Sequence, residues 1–564
     1  MRITAMGNSG TGIRSRLRLP THARHGEFFR QLFDVFPSCP TVLSPRSRGA
    51  SVSPATGRDA RLHGRTSGQS PVRRHRRRCL TVAQPLLLRQ HRTLGHSILQ
   101  ETLTMWVRRS LVVSVCTLAL AGVARNTAAQ QPVLPPPSAP SAPTPLGLNG
   151  QLAPWLQVRG EFRTRIEGFA GGGYTPDNND AYWMDRFRLS AMVRPSKSIS
   201  FFVQVHDARA FDKTTGGSLA PLRDTLDLRQ GYAEISSAHA TVRVGRQDLA
   251  FGEQRLIGNL AWVNAGRSFD AGRLTLKRTG AQVDLFAASV VTIQPNAFDT
   301  SGHGNVLYGA YGSLTTLLPK QTVEPYVLWR QATNVAAELG GLATMHQATT
   351  GARMAGKVPA AFDYSGELAI QTGSVGPDTI KAWAAHANVG RAFASAAAKP
   401  RLFGEYNYAS GDANRKDGTR GTFDQLYPTG HDKLGLADQV GWRNIRDARA
   451  GLEFKPAAKW QATGSYHSFW LASATDALYS ASGALVARSA TGTAGRHVGQ
   501  ELDGQATYVY SAQLQINGGL AHVFPGEFLK TLTPGHAYTY PYVMVTYVFL
   551  GDGPTVAVAG SHIR

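Results

Sequence analysis

The chain has 564 residues, a formal net charge of +23, 42% hydrophobic residues and three cysteines. That length holds about three average domains or one large architecture. The charge would suggest nucleic acid as a partner, but its distribution excludes this for most of the chain: residues 1–104 hold 18 Arg, no Lys and four acids, whereas from Gln130 onward 39 basic residues face 33 acidic ones.

Residues 1–104 are Arg-, Ser-, Pro- and Gly-rich, as in "PVRRHRRRCL", and lack the periodicity needed to bury a core. Arginine without lysine is what a G+C-rich upstream region read as coding would give. The segment is therefore expected to be mis-annotated upstream sequence or disordered, with translation starting at Met105. A competing reading, a nucleic-acid arm on Arg73, Arg74, Arg76, Arg77 and Arg78, would have no compartment to act in upstream of an export signal.

Residues 105–129 read as that signal: Arg108 and Arg109, the apolar run Leu111–Ala124, then Thr127-Ala128-Ala129 before Gln130. The apolar run is shorter than the ~20 residues that cross a bilayer as a helix, and no later stretch replaces it. Val115 before Cys116 is too bulky for a lipoprotein site. Cys39, Cys79 and Cys116 all precede the expected cleavage point, so the exported chain has no disulfide, thiolate nucleophile or Cys-ligated zinc. Residues 130–150, with "QPVLPPPSAPSAPTP", form an extended proline-rich linker.

From Trp155 the texture changes. Leu156, Val158, Phe162 and Ile166 alternate with Gln157, Arg159, Glu161, Arg163, Arg165 and Glu167. Successive strand side chains point to opposite faces, so one face is apolar and the other charged. Phe187, Leu189, Ala191 and Val193 alternate likewise with Arg186, Arg188, Ser190 and Arg194. Ile199, Phe201, Val203 and Val205 alternate with Ser200, Phe202, Gln204 and His206. "LDLRQGYAEI" has no clear phase. The pattern returns around Leu274 and Val283 and in segments such as "RLFGEYNYAS", "WQATGSYHSFW" and "YPYVMVTYVFL".

Such strands belong either to a soluble sandwich or to a transmembrane barrel with its polar face toward a wet lumen. Three features favour the barrel. The inward face is charged. Trp155, Tyr182, Trp183, Trp329, Trp383, Trp460, Trp470, Tyr540 and Tyr542 cluster near strand ends, as an interfacial girdle would. The last strand presents Val543, Val545, Tyr547 and Phe549 on one side. The expectation is an all-β fold: a transmembrane antiparallel β-barrel over residues 151–550 with a tail at 551–564. About 400 residues at roughly 22 per strand and connection give about 16 to 20 strands, enough to enclose an aqueous channel.

Two longer stretches are more specific. "GRQDLAFGEQRLIGNLAWVNAGRSFDAGRL" spans Gly245–Leu274, and "SGDANRKDGTRGTFDQLYPTGHDKLGLADQVGWRNI" spans Ser410–Ile445. Both resemble signatures of the alginate-export family of outer-membrane barrels. The resemblance implies an eighteen-stranded monomeric pore in the outer membrane with an arginine-rich constriction that passes an anionic exopolysaccharide. It does not name the polymer.

Channel chemistry adds its own requirement. A polyuronate bears a carboxylate on every sugar, and fixed cations lower its barrier to entering a lumen backed by low dielectric. Arginine stays charged and matches a carboxylate bidentately, while conduction needs many weak sites. The expected lumen cations are Arg159, Arg163, Arg165, Arg186, Arg188, Arg243, Arg246, Arg255, Arg267 and Arg273, with Asp248, Glu253 and Asp270 as supporting acids. Arg255 and Arg267 rank first, because their non-strand insertion can fold into the lumen and Asn259, Trp262 and Asn264 can pack it. The plain alternative for any one arginine is pairing with an acid across strands.

Other chemistry finds little support. Lys416 stands where "GDANRKDG" would need a calcium ligand, and His206, His239 and His467 lack metal-ligand spacing. "GGGY" at Gly171–Tyr174 lacks the strand-to-helix context of a phosphate cradle. No catalytic residue, metal or cofactor is expected, and no enzyme. The expected function is passive export or diffusion of an alginate-like anionic polysaccharide or oligosaccharide. The alternatives are a small-anion or sugar porin and a secreted glycan-binding β protein. Expected partners are the polymer, outer-membrane lipid, the barrel-assembly machinery and periplasmic polysaccharide-synthesis proteins.

Overall fold

Alternation around Trp155 becomes β1 (Leu156–Phe169), and the arginines after it lie on β2 (Asp180–Val193). The sheet continues through β3 (Ile199–Phe211), β4 (Asp224–Ser236), β5 (Ala240–Gln247), β6 (Phe269–Arg278), β7 (Ala281–Thr292) and β8 (Thr300–Leu314). Next come β9 (Gln321–Ala336), β10 (Leu342–Val358), β11 (Phe362–Val375), β12 (Asp378–Ala392) and β13 (Arg401–Ala409). After the two-residue β14 (Thr419–Arg420), β15 (Ile445–Phe454) and β16 (Trp460–Leu471) resume the wall. β17 (Ala477–Tyr479) and β18 (Leu485–Arg488) form a small separate hairpin. β19 (His497–Val509), β20 (Leu514–Pro525), the short helix α1 (Glu527–Leu532) and β21 (Tyr538–Phe549) complete the chain. This computed structural model describes residues 152–215 and 220–550. The segments 1–104, 105–129, 130–150 and 551–564, with the three cysteines, lie outside the described residues.

Eighteen antiparallel strands close into a barrel. β21 pairs back onto β1 from Gly160 opposite Phe549 to Glu167 opposite Tyr542. The Phe549 ring covers Gly160, which has no side chain to compete for the space. Closure leaves no sheet edge, which is the condition for crossing a bilayer with strands. No described helix is long and apolar enough to cross a membrane.

The two ends differ. Turns at 194–198, 237–239, 279–280 and 359–361 are short and share their end with the start of β1 and the finish of β21, whereas the connections 248–268, 410–444 and 472–496 at the other end are long. Outer-membrane barrels carry short turns on the periplasmic side and long loops outside.

Burial follows the alternation read from the sequence. Phe162 and Ile166 are 40% and 42% exposed, whereas Arg163 and Arg165 are 4% and 2% exposed. On β2, Phe187 and Leu189 are exposed while Arg186, Arg188 and Ser190 are buried. The apolar face therefore points outward and the charged face inward, opposite to a soluble sandwich. A charge on the outer face should be costly. Leu368, outward at the middle of β11, should lose about 2–4 kcal/mol of stability as Leu368→Arg, measured by denaturant unfolding in lipid vesicles.

Two sequence-level features look different in the structure. The unclear phase of "LDLRQGYAEI" has a cause: Gln230 pairs with Gln204 and Leu228 with Val205, so Arg229 is an extra residue in a bulge. Beyond it the inward and outward positions exchange parity. The girdle is also thinner than expected. Trp155, Trp183, Trp329, Trp383 and Trp460 are exposed, but Tyr182, Tyr540 and Tyr542 are buried in the interior. The Tyr182 and Tyr540 hydroxyls donate to Glu167 Oε1 and Oε2, each at 2.5 Å. A Tyr adjacent to an outward Trp must face inward, and Tyr182 next to Trp183 obeys that rule.

Candidate channel constriction

Both signature stretches leave the wall and fold inward. Residues 248–268 do so because positive φ at Gly252, Gln254, Leu260 and Gly266 breaks extended geometry. Leu249, Leu256 and Ile257 are thereby buried. Residues 410–444 behave similarly and bury Phe423, Leu434, Leu436, Val440 and Trp442. The two segments meet in a short parallel contact: Gly258 N donates to Tyr427 O, and Tyr427 N to Leu256 O, both at 2.8 Å. Phe251 stacks between Phe286 and Tyr311, and Trp262 stacks on His431 at 3.8 Å. An apolar core thus stands inside a polar barrel.

The wall holds this insert by charge-assisted hydrogen bonds from many sides. On β1, Arg163 donates to Ala261 O, Trp262 O and Asn264 Oδ1 at 3.0–3.2 Å. Arg165 donates to Trp262 O at 2.8 Å, lies over the Trp262 ring at 4.1 Å and pairs with Glu167. On β2, Arg186 joins Ala261 O to Glu161, while Arg188 donates to Ala265 O. Arg229 on β4 pairs with Asp248 at 2.8 Å. Across the barrel, Arg353 on β10 binds Glu253, Arg330 on β9 binds Asp424, and Arg449 on β15 binds Asp432. On β19, Glu501 accepts from Ala437 N at 2.8 Å. Gly435, at φ 91, lets the chain press against that carboxylate where a side chain would collide with it.

The residues expected from the sequence divide into three groups. Arg163, Arg165, Arg186, Arg188, Arg255 and Arg267 converge on the insert. Arg255 is 5% exposed and donates to Glu405 Oε1 at 2.7 Å and Asn407 Oδ1 at 3.2 Å, with Glu253 beside it. Arg267 donates to Gly258 O and Pro428 O, so it joins the two inward segments. Burial pushes its guanidinium down to about 10. Asn259 donates to Asp248, and Asn264 donates to carbonyls of Asp185, Arg209 and Leu222.

A second group lies toward the short-turn end. Arg243 and Arg273 sit opposite each other on β5 and β6, paired with Glu234 at 2.6 Å and Asp284 at 2.9 Å. With Thr241, Thr275, Lys277 and Gln282 they line an interior cavity of about 140 Å³. Arg159 is half-buried on the inner face of β1 and has no ion-pair partner among the described residues. The third group departs from expectation. Arg246 and Asp270 pair at 2.8 Å, but they occupy strand positions alternating with buried Gln247, Phe269 and Ala271. They share the outward side with Val244, near the long-loop end, and do not line the lumen.

Electrostatically the first group is unbalanced. Arg165, Arg186 and Arg255 each pair with a carboxylate, but the hydrogen bonds of Arg163, Arg188 and Arg267 go to neutral oxygens only. Moreover, the buried Nε atoms of Arg163, Arg186, Arg188 and Arg229 have no hydrogen-bond acceptor. A buried donor without a partner carries a cost of about 1–3 kcal/mol.

Arg229, Arg330, Arg353 and Arg449 were not legible from the sequence. Arg229 hides in the bulge, Arg330 and Arg353 are each the single arginine of a strand with a partner 94 and 100 residues away, and Arg449 meets Asp432 only once the segment 410–444 folds inward.

Several solved structures are similar to the chain. OpdQ of Pseudomonas aeruginosa is 12% identical, with 70% of this chain and 97% of that one covered and a TM-score of 0.48. A BenF-like porin from Pseudomonas fluorescens is 10% identical, with 70% and 98% covered and a TM-score of 0.49. OccAB2 of Acinetobacter baumannii is 12% identical, with 70% and 98% covered and a TM-score of 0.47. No curated protein matches the sequence. The family described as alginate export matches residues 154–542, the whole barrel nearly from end to end, and the chain belongs to that family of outer-membrane proteins.

Proposed function

We propose that this outer-membrane channel passes an alginate-like anionic polysaccharide, or its oligomers, along the arginines of its interior. One observation carries the reading: Arg163, Arg188 and Arg267 are buried guanidiniums whose hydrogen-bond acceptors among the described residues are all neutral oxygens. Spare Nε donors surround the first two. A carboxylate supplies both the missing charge and the missing acceptor, and a charge-assisted bond is about twice as strong as a neutral one. At the short-turn end, the cavity lined by Glu234 and the paired Arg243 and Arg273 adds Lys277 as one further cation on that path. Passage then needs no bond to be made or broken, only successive exchange between weak cationic sites. Assembly into the outer membrane by the barrel-assembly machinery and supply of polymer by periplasmic synthesis proteins belong to the same proposal.

The inward segments favour a second reading, a porin for small anions or sugars, because they fill much of the interior that a polymer would need. Single-channel currents separate the two. Export predicts that polyuronate chains block the open current at concentrations about tenfold or more below those of monomeric uronate, while a neutral glycan of equal length does not block. Equal block by monomer and polymer would favour the small-solute porin.

A further inference from the structure

Outside the constriction, the long-loop end brings together three acids that the function above does not use. Asp224 and Asp227 stand at the start of β4, and Asp299 ends the connection between β7 and β8. Asp224 and Asp227 are 1% and 2% exposed. One oxygen from each of the three carboxylates lies within 4.8 Å of the others.

Each carboxylate spends one oxygen on the fold and keeps the other. Asp224 Oδ2 lies 2.6 Å from His206 Nε2, and Asp224 Oδ1 is buried with no partner. Asp227 Oδ2 accepts from Asp299 N at 2.6 Å, and its Oδ1 has only Arg246 at 3.6 Å. Asp299 Oδ1 accepts from Gln294 N at 2.8 Å, and Asp299 Oδ2 has no hydrogen-bond partner among the described residues. Arg246 cannot neutralise three acids, because it is already bound to Asp270 at 2.8 Å. A buried, unpaired carboxylate oxygen beside two further acids is costly unless a cation shares it.

Ligand geometry distinguishes the cations. Calcium takes oxygen ligands at roughly 2.3–2.6 Å, so two oxygens on opposite sides of the ion stand about 4.6–5.2 Å apart. Magnesium, at roughly 2.0–2.1 Å, would need them about 4.2 Å apart or less and in octahedral geometry. Carboxylate oxygens within 4.8 Å of one another fit inside a calcium shell, whose flexible geometry accepts ligands drawn from two strand positions and a loop, where magnesium demands a near-ideal octahedron. We propose that Asp224, Asp227 and Asp299 bind one calcium ion, which fastens the β7–β8 connection to the head of β4. Backbone carbonyls or water complete the shell. The site sits where β4 runs past the end of β5: β4 pairs with β5 only from Gly231 onward. There the wall lacks a strand partner, and the connection takes its place by two contacts, Asp299 N to Asp227 and Thr225 Oγ1 to Pro295 O.

The test is calcium stoichiometry of the purified, detergent-solubilised barrel by equilibrium dialysis. Asp299→Asn keeps the backbone donor to Asp227 and an acceptor for Gln294 while removing a charge. Asp417→Asn, on an exposed turn, is the charge-matched control, and heat-modifiable gel mobility confirms that each variant is folded. Expected is the loss of one bound calcium per chain in Asp299→Asn and in Asp224→Asn, none in Asp417→Asn, and no replacement by magnesium at equal concentration. A wild-type stoichiometry unchanged in both cluster variants overturns the proposal. Retention by magnesium alone overturns the choice of calcium.

Discussion

Replacing Arg163 and Arg188 together with Gln should lower the anion-to-cation permeability ratio of the channel about tenfold, and weaken polyuronate block by a similar factor. Both side chains are on the inner wall, and neither has a carboxylate partner. A unit charge about 8 Å from a passing carboxylate contributes roughly 2 kcal/mol at an effective dielectric of about 20. Mobile salt reduces this by about half. Two such charges then amount to about 2 kcal/mol, or somewhat more than one decade. Gln keeps an amide donor for the carbonyls of Ala261, Trp262 and Ala265, so the insert stays in place. The contrast is Arg243→Gln, which leaves Glu234 without its cation. It removes one positive charge where the double variant removes two, and at the short-turn end away from the insert, so it should lower anion selectivity in the same sense but by less than half as much on the logarithmic scale. Reversal potentials in a salt gradient measure all three. Equal effects from Arg243→Gln and from the pair would show that position and pairing do not matter.

The second large effect concerns the insert itself. Excising residues 249–266 and joining β5 to β6 with a short Gly-Ser turn should raise single-channel conductance roughly threefold or more and reduce anion selectivity. The wall should survive, because β5 and β6 pair through their own register from Ala240 opposite Leu276 to Gln247 opposite Phe269. An eighteen-stranded wall without an insert encloses a wide aqueous lumen. The second inward segment would loosen too, having lost the Leu256, Gly258 and Gln254 backbone partners of Tyr427 and Thr429. The arginines freed from carbonyl oxygens would face water, where their charge is screened. An unchanged conductance in a correctly folded barrel would mean that the insert does not limit flow.

How much of this was legible follows from the range of each interaction. Strand faces are local: Phe162 and Arg163 alternate because neighbouring side chains must, and the structure keeps that alternation along β1 and β2. Strand number was bounded only by length, and the family resemblance narrowed it to eighteen. One extra residue defeats a parity argument, as Arg229 does on β4, and Arg246, grouped with its signature stretch, holds a position that alternates with inward Gln247. Aromatic residues near strand ends could not be sorted without the parity, hence Tyr182, Tyr540 and Tyr542 inside. The insertion around Arg255 and Arg267 was visible because it breaks alternation. Its partners were not: Glu405 lies 150 residues away from Arg255, and nothing local links them. The stretch 410–444 read as a connection, yet it supplies eight residues of the interior core, from Phe423 to Trp442. The acids at 224, 227 and 299 have no motif spacing, so only folding brings them together.

On this reading the uncompensated charge of the lumen is positive, inside a wall that is apolar outside. Ion selectivity of the unmodified channel in a planar bilayer tests this most directly, with a tenfold salt gradient and the reversal potential read at zero current. The structure predicts a potential displaced toward that of the anion, and current that polyuronate, but not neutral glycan, suppresses. Cation selectivity, or no displacement in either direction, would contradict it.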